Sequence, residues 1–269
     1  MTRLSSKALR LSWMFGLLSM LLPGQSQEVM AQILVQGERD FSKLIYVTED
    51  YPPGNFLEEG ELKGIGVDLL LAAANEAGYS IKRSQIQLNA WARSYRMALK
   101  VPGYVVFSTT RTPEREALFK WAGPIQSGFS VGLIAHKDSQ IQINSLAEIK
   151  KYRIAVIRGD VADELLIQAG VAPQQLVRNK NPRLLALQLS QKRVDLWAFE
   201  PDSAKEVLRS IKASPEDFEQ VFRLADNTVY YALNRQTPDS LVQSLQQAID
   251  RVKQTPQYQE IIQRYIKQP

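Results

Sequence analysis

Tyr104-Val105-Val106-Phe107 is a short, apolar, β-prone run, and the residues after it constrain the fold more than any other stretch of the chain. Ser108-Thr109-Thr110-Arg111-Thr112-Pro113-Glu114-Arg115-Glu116 comes next, leading to Phe119-Lys120-Trp121-Ala122-Gly123-Pro124. The apolar run predicts a buried strand. Hydroxyls gather where that strand should end, and ligands of α/β sheets sit at the carboxyl ends of strands. Hydroxyls and a guanidinium converging there suit a carboxylate, which accepts a bidentate fork from Arg and neutral donors besides. The same residues also spell a helix start, with Thr112 as cap, Pro113 as first helical residue, and Glu114 and Glu116 favoured by the helix dipole. A cap accounts for Thr112, Pro113 and Glu114. It does not account for Arg115, a cation in a first turn where the dipole opposes it. Arg115 is therefore expected to meet a ligand, the alternative being a surface position.

Several function classes lack material. Cysteine is absent, which excludes disulfides, thiolate metal sites, a cysteine nucleophile and a lipid-modified cysteine. One histidine, His136, cannot build a multi-histidine metal centre, and it is read as a surface or hinge residue. The net charge of +5 is spread along the chain without a basic run or zinc spacing, so no nucleic-acid partner is expected. The 269 residues suffice for one large or two modest domains. At the N-terminus, Arg3, Lys7 and Arg10 precede an apolar run from Leu11 to Leu22, broken by Pro23-Gly24. This pattern predicts a secretory signal peptide over residues 1–31, cut after Ala31, and a periplasmic mature protein. The apolar run is short of the roughly 20 residues a membrane span needs.

The rest alternates strand and helix signals. Lys43 to Thr48 predicts a strand, Glu49 to Phe56 a loop stiffened by Pro52-Pro53, and Val67 to Ala77 a helix stopped by Gly78. Ile81 to Leu88 predicts a strand and Trp91 to Leu99 a helix. Phe129 to Ala135 is a long extended apolar run, and Ser145 to Ile149 a capped short helix. Arg153 to Ile157 predicts a strand that Arg158-Gly159-Asp160-Val161 turns into a helix, a place where backbone N–H groups can meet an anion. Pro182 to Arg193 predicts a helix. Val194 to Phe199 predicts a strand ending on Glu200, an acid placed to meet a ligand ammonium or to cap the helix that Pro201 opens. Phe218 to Leu233 reads as two strands split by Ala225-Asp226-Asn227. Leu241, Leu245, Ala248 and Val252 form one stripe of a late helix, and Tyr258 to Ile266 a final one.

Taken in order, Tyr51-Pro52-Pro53, Val67-Asp68-Leu69-Leu70, Thr112-Pro113-Glu114-Arg115, Phe119-Lys120-Trp121-Ala122-Gly123-Pro124 and the strand-end Glu200 resemble bacterial extracellular solute-binding protein family 3, the polar amino-acid binders of ABC importers. The resemblance covers roughly residues 43–266. It implies an α/β, two-lobe periplasmic-binding-protein-like fold with one discontinuous lobe and two hinge crossovers. Lobe 1 would hold residues 32–128 and 223–269, and lobe 2 residues 129–222. It implies that Arg115, Ser108 and Thr110 take a ligand α-carboxylate and Glu200 its ammonium. Tyr51 would pack on the bound side chain, or else cover the first helix. Trp91 would face the cleft, or else fill core. The turn at Gly159 and Val161 would offer amides to the carboxylate, although Asp160 and Val161 stand where the family often has hydroxyls. The implied protein is a monomer without cofactor that binds a small acid or amino acid and meets an inner-membrane ABC permease. It is not an enzyme. The alternatives that resemblance leaves are a cyclohexadienyl dehydratase-like enzyme and a soluble sensor module.

Overall fold

A computed structural model describes residues 38–266, so the expected signal peptide lies outside the described residues. Residues from Phe41 onward form one compact unit, and Glu38 to Asp40 belong to a separate one. No helix among the described residues is long and apolar enough to cross a membrane.

The strands are β1 (Ile45–Thr48), β2 (Phe56–Glu58), β3 (Glu61–Lys63), β4 (Gln87–Leu88), β5 (Tyr104–Thr110), β6 (Phe119–His136), β7 (Ile154–Ile157), β8 (Leu176–Asn179), β9 (Leu196–Phe199) and β10 (Phe218–Asn234). The helices are α1 (Ile65–Glu76), α2 (Trp91–Lys100), α3 (Pro113–Glu116), α4 (Val161–Gln168), α5 (Pro182–Ser190), α6 (Pro201–Ser210), α7 (Asp239–Lys253) and α8 (Pro256–Tyr265). Eight strands share one sheet in the order β4-β1-β5-β10-β6-β9-β7-β8, while β2 and β3 form a separate hairpin.

Two long antiparallel strands organise this sheet. β6 and β10 pair from Phe119↔Asn234 to His136↔Phe218, with four register shifts on the way. β5 joins β10 at Val229 to Leu233, and β9 joins β6 at Gly132 to Ile134. Because β6 and β10 are antiparallel, these joins fall at opposite ends of the ladder. One end carries the parallel set β4-β1-β5, the other the parallel set β9-β7-β8. Parallel strands need crossover helices, and those helices cover both sets.

Burial follows the sequence stripes. Leu245, Ala248, Ile249 and Val252 of α7 pack with Val67, Leu69, Leu70 and Ala73 of α1 and with Val105 and Phe107 of β5. Each large side chain buried there contributes about 1.5–3 kcal/mol. At the other end, Val131 and Leu133 of β6, Ile154 and Val156 of β7, Ala162 and Leu166 of α4, and Leu196 and Ala198 of β9 form a second core.

The structure departs from the sequence reading in four places. Phe218 to Leu233 is one strand, not two. Ala225, Asp226 and Asn227 lie in the stretch that pairs with β6 alone, where neither parallel set continues the sheet and polar side chains reach water. The extended run after Pro124 is part of an 18-residue strand that starts at Phe119. Ile81 to Leu88 supplies only the two-residue edge strand β4 after a 3₁₀ turn at Arg83–Gln85. Ser145 to Ile149 yields only a 3₁₀ turn, Glu148–Lys151, although Ser145 does donate to the Glu148 carboxylate.

Candidate ligand site

β5 ends in a bulge. Tyr230 of β10 faces Thr109 while Tyr231 faces Phe107, so Ser108 is the extra residue, and its φ of 57° is left-handed. A bulge re-aims a side chain at the cost of ladder regularity. A serine held at positive φ stores strain of about 1–2 kcal/mol. Here the bulge sends the Ser108 hydroxyl into a cavity, between Gly54 and Gly66. A Cβ at Gly66 would lie 2.9 Å from Ser108 Oγ. That Oγ is buried and has no hydrogen-bond partner among the described residues. Thr110 lines the same cavity.

The cap expected at Thr112 is present: its Oγ1 accepts the Arg115 amide at 3.3 Å, and Pro113 opens α3. The cap directs Arg115 inward, leaving it 1% exposed. Its guanidinium lies 5.4 Å from the Trp91 ring centroid and 5.1 Å from that of Tyr95, cation–π distances. Nε donates to Glu164 Oε2 of α4 at 3.0 Å, and Nη1 reaches the Thr110 carbonyl at 3.4 Å. Nη2 lies 2.9 Å from Glu164 Oε1, an ion contact, but makes no well-aligned hydrogen bond. Arg111, four residues earlier, instead pairs with Glu116 and lies over Trp121 and Tyr230.

The facing wall comes from the other parallel set. Gly159 takes φ 70° at the end of β7 and starts the turn into α4. The expected free amide at Gly159 is not free: its N–H donates to Asp163 Oδ2 at 2.9 Å, and Arg178 of β8 holds Asp163 in place. Asp160 caps α4 by accepting the Asp163 amide at 2.8 Å. The next two amides, Val161 and Ala162, have no acceptor among the described residues, as the first helical N–H groups usually do not. The Gly159 carbonyl accepts Trp91 Nε1 at 2.6 Å, a bond that joins the two walls.

Glu200 follows β9 and is 5% exposed. Both its oxygens accept main-chain amides of α6, from Asp202 at 3.1 Å and Ser203 at 2.5 Å. The capping role is thus realised, and the same carboxylate lines the cavity. Burial pushes its pKa up, and the Ser203 hydrogen bonds oppose this.

Seven of the eight residues singled out from sequence line this one cavity: Tyr51, Trp91, Ser108, Thr110, Arg115, Val161 and Glu200. Gly159 does not; it shapes the wall through its two hydrogen bonds. Tyr51 packs on Phe199 with ring centroids 4.9 Å apart, and Trp91 serves both cavity and core. The enclosed space is small, about 50 Å³. A wider groove meets the cavity at Gln126, Phe129 and Glu200.

Two further acids join the site, Glu49, which the sequence reading left in a loop, and Asp160, which it placed in the turn into α4 without a ligand role. Glu49, just past β1, and Asp160 both line the cavity. Burial, then Asp160 and Asp50, hold the Glu49 carboxyl well above the usual range, and Arg115 opposes them. Burial pushes Asp160 up to about 8 against the hydrogen bond from Asp163 and the charge of Arg115. The strand-end logic that picks Glu200 also picks Glu49; the loop prolines beside it mask the signal. Among the described residues no group of three ligating side chains converges as a metal site.

Known structures share this fold. A histidine kinase sensor domain with similarity to periplasmic binding proteins superposes at a TM-score of 0.74 with 21% identity, over 85% of this chain and 98% of that one. An ancestral arginine-binding protein bound to arginine gives 0.70 at 19% identity, over 83% and 98%. The substrate-binding protein of an amino acid ABC transporter gives 0.68 at 21%, over 83% and 99%. At such identities the likeness shows the fold: two-lobe and periplasmic-binding-protein-like. No curated protein matches in sequence. The profile of the bacterial extracellular solute-binding proteins, family 3, matches residues 44–268, and the chain belongs to that family.

Proposed function

We propose that this protein captures a small zwitterion, an amino acid, between two lobes in the periplasm and delivers it as a monomer to an inner-membrane ABC permease. The lobes are residues 32–128 with 223–269, and residues 129–222. One observation carries the reading: Ser108 Oγ is a buried donor without a partner among the described residues, it lines one cavity with the buried Arg115, and Glu200 faces that cavity from the other parallel set. Leaving a buried donor unmatched costs about 1–3 kcal/mol, and a ligand carboxylate removes that cost. The Val161 and Ala162 amides add two neutral donors to the same anion. Glu200, already ordered by two amides, takes the ammonium. Each ligand charge is then paired as water leaves. The ligand holds both walls, so it shifts the population toward the closed form.

The dehydratase alternative asks Glu200 to donate a proton. Both its oxygens accept N–H bonds, which favours a carboxylate that attracts a cation over an acid that gives up a proton. Structural neighbours include both a transporter-binding protein and a kinase sensor domain. The ligand chemistry is common to both uses.

The test is calorimetric titration of residues 32–269 with the twenty amino acids, beside Arg115→Ala and Glu200→Ala. Micromolar binding of one or a few amino acids, lost in both variants, supports the reading. Binding of carboxylic acids without an amino group, unchanged in Glu200→Ala, overturns it.

A further inference from the structure

The cavity holds more acid than a simple zwitterion can match. Arg115 is its one cation among the described lining residues, and Glu164 already sits against it from outside the lining. Three carboxyls line it: Glu200, Glu49 and Asp160. Glu200 is assigned to an α-ammonium. Asp160 stands close enough to Glu49 to raise its carboxyl, and all three acids lie near the Tyr51 phenol. No salt bridge to Glu49 or Asp160 occurs among the described residues. The buried, unmatched Ser108 hydroxyl marks the same cavity as one built for a ligand. Aromatic faces of Tyr51, Phe129 and Phe199 line it too, and these suit an aliphatic stem or a planar cation.

Resting on the amino-acid reading, we infer that the ligand is a basic amino acid, whose distal cation lies between Glu49 and Asp160 beside the Tyr51 ring. The charge balance of the cavity selects it: a ligand with two positive groups and one negative matches Glu200, the Glu49–Asp160 pair and Arg115. A neutral amino acid leaves the pair facing itself, and an acidic one adds to the repulsion.

Binding should also move protons. Asp160 is faced by Glu49 from the end of β1, by Arg115 of α3, and by Asp163 and Glu164 of its own helix. An arriving cation favours its ionised form, so protons leave on binding near neutral pH.

The experiment is isothermal titration of the mature chain, residues 32–269, with L-arginine, L-lysine, L-citrulline and L-glutamine. Each runs in two buffers of different ionisation enthalpy, on the wild type, Glu49→Gln and Asp160→Asn. Citrulline keeps arginine's shape without its charge, and asparagine keeps the cap of α4. The expected result is arginine or lysine at least 30-fold tighter than citrulline and glutamine, with proton release. Each variant should weaken the basic ligand tenfold or more and leave citrulline within threefold. Equal binding of arginine and citrulline overturns the inference, as does a variant that weakens both alike. Tight binding of glutamine without arginine overturns the inference and leaves the amino-acid reading standing. If no amino acid binds, both fall.

Discussion

Arg115 Nε and Glu164 Oε2 meet at 3.0 Å across the cavity walls, one from α3 after β5 and the other from α4 after β7. The arginine is buried, while the glutamate side chain keeps 34% of its exposure and lies outside the cavity lining. Glu164 therefore holds the guanidinium from behind. It takes the Nε–Nη2 edge of the guanidinium, with Oε1 2.9 Å from Nη2, and it ties the two cavity walls together. Glu164→Gln should weaken amino-acid binding roughly fivefold, about 1 kcal/mol for a partly exposed pair. The dissociation rate should carry most of the loss. A titration with stopped-flow dissociation checks this; tighter binding would show that Glu164 instead competes with the ligand.

Ser108 makes a trade visible. Its left-handed backbone and unmatched hydroxyl both burden the unliganded protein. Ser108→Gly relieves both, offset in part by the freedom glycine gains when unfolded. The expected outcome is a melting temperature equal to or a few degrees above wild type, together with weaker ligand binding. Thermal unfolding with and without ligand reads both halves, and a large fall in the unliganded melting temperature would contradict strain at this position.

Gly66 is set by crowding. It sits in the first turn of α1, where a Cβ would approach Ser108 Oγ at 2.9 Å and the Phe107 ring at 3.1 Å. Alanine is normally the better helix former by about 1 kcal/mol. Gly66→Ala should nevertheless destabilise by about 1–3 kcal/mol, through overpacking against β5. Urea unfolding decides; a gain in stability would mean that Ser108 can rotate away without loss.

The acids give stability a pH slope of known sign. In the folded chain Asp160 titrates at about 8, far above its ordinary 3.8. Between those values the folded form holds a proton that the unfolded chain has released, so folding is favoured at low pH. That contribution is full below about 4 and is lost as pH rises towards 8. Glu49, raised for the same reason, acts in the same direction. Urea midpoints from pH 5 to 9 should fall for the unliganded wild type and fall less for Asp160→Asn. A saturating cationic ligand should flatten or reverse the slope, because it favours the charged acids.

Much of the site is legible in the sequence where one local signal suffices. Tyr104 to Phe107 with the hydroxyls behind it points to β5, the Thr112 cap and the inward Arg115, since strand pattern and cap chemistry agree. The acid after β9 is legible for the same reason. What stays hidden depends on partners far along the chain. β10 is one strand because β6 pairs with it through Ala225 to Asn227, and propensity does not register a partner roughly a hundred residues away. The Gly159 amide is used up by Asp163, a residue that reads from sequence as an ordinary first-turn acid. The Ser108 bulge depends on the register of β10 on β5. Glu49 and Asp160 gain their meaning only together, and they come from loops over a hundred residues apart.

The β6–β10 ladder has a further consequence. Two domains joined by flexible linkers close like tethered partners, limited by the effective concentration that linker length allows. Here both connecting segments stay hydrogen-bonded to each other through the crossover. The walls therefore cannot wander independently, and their approach is confined to bending and twisting of one ribbon. On the proposed closure, little search entropy would be lost, and more of a ligand's contact energy would go into affinity than into bringing the walls together. The register shifts between Gln220 and Tyr231 lie along that ribbon. Removing the shift between Arg223 and Ala225 by deleting one residue should stiffen the ribbon and slow ligand entry more than ligand escape.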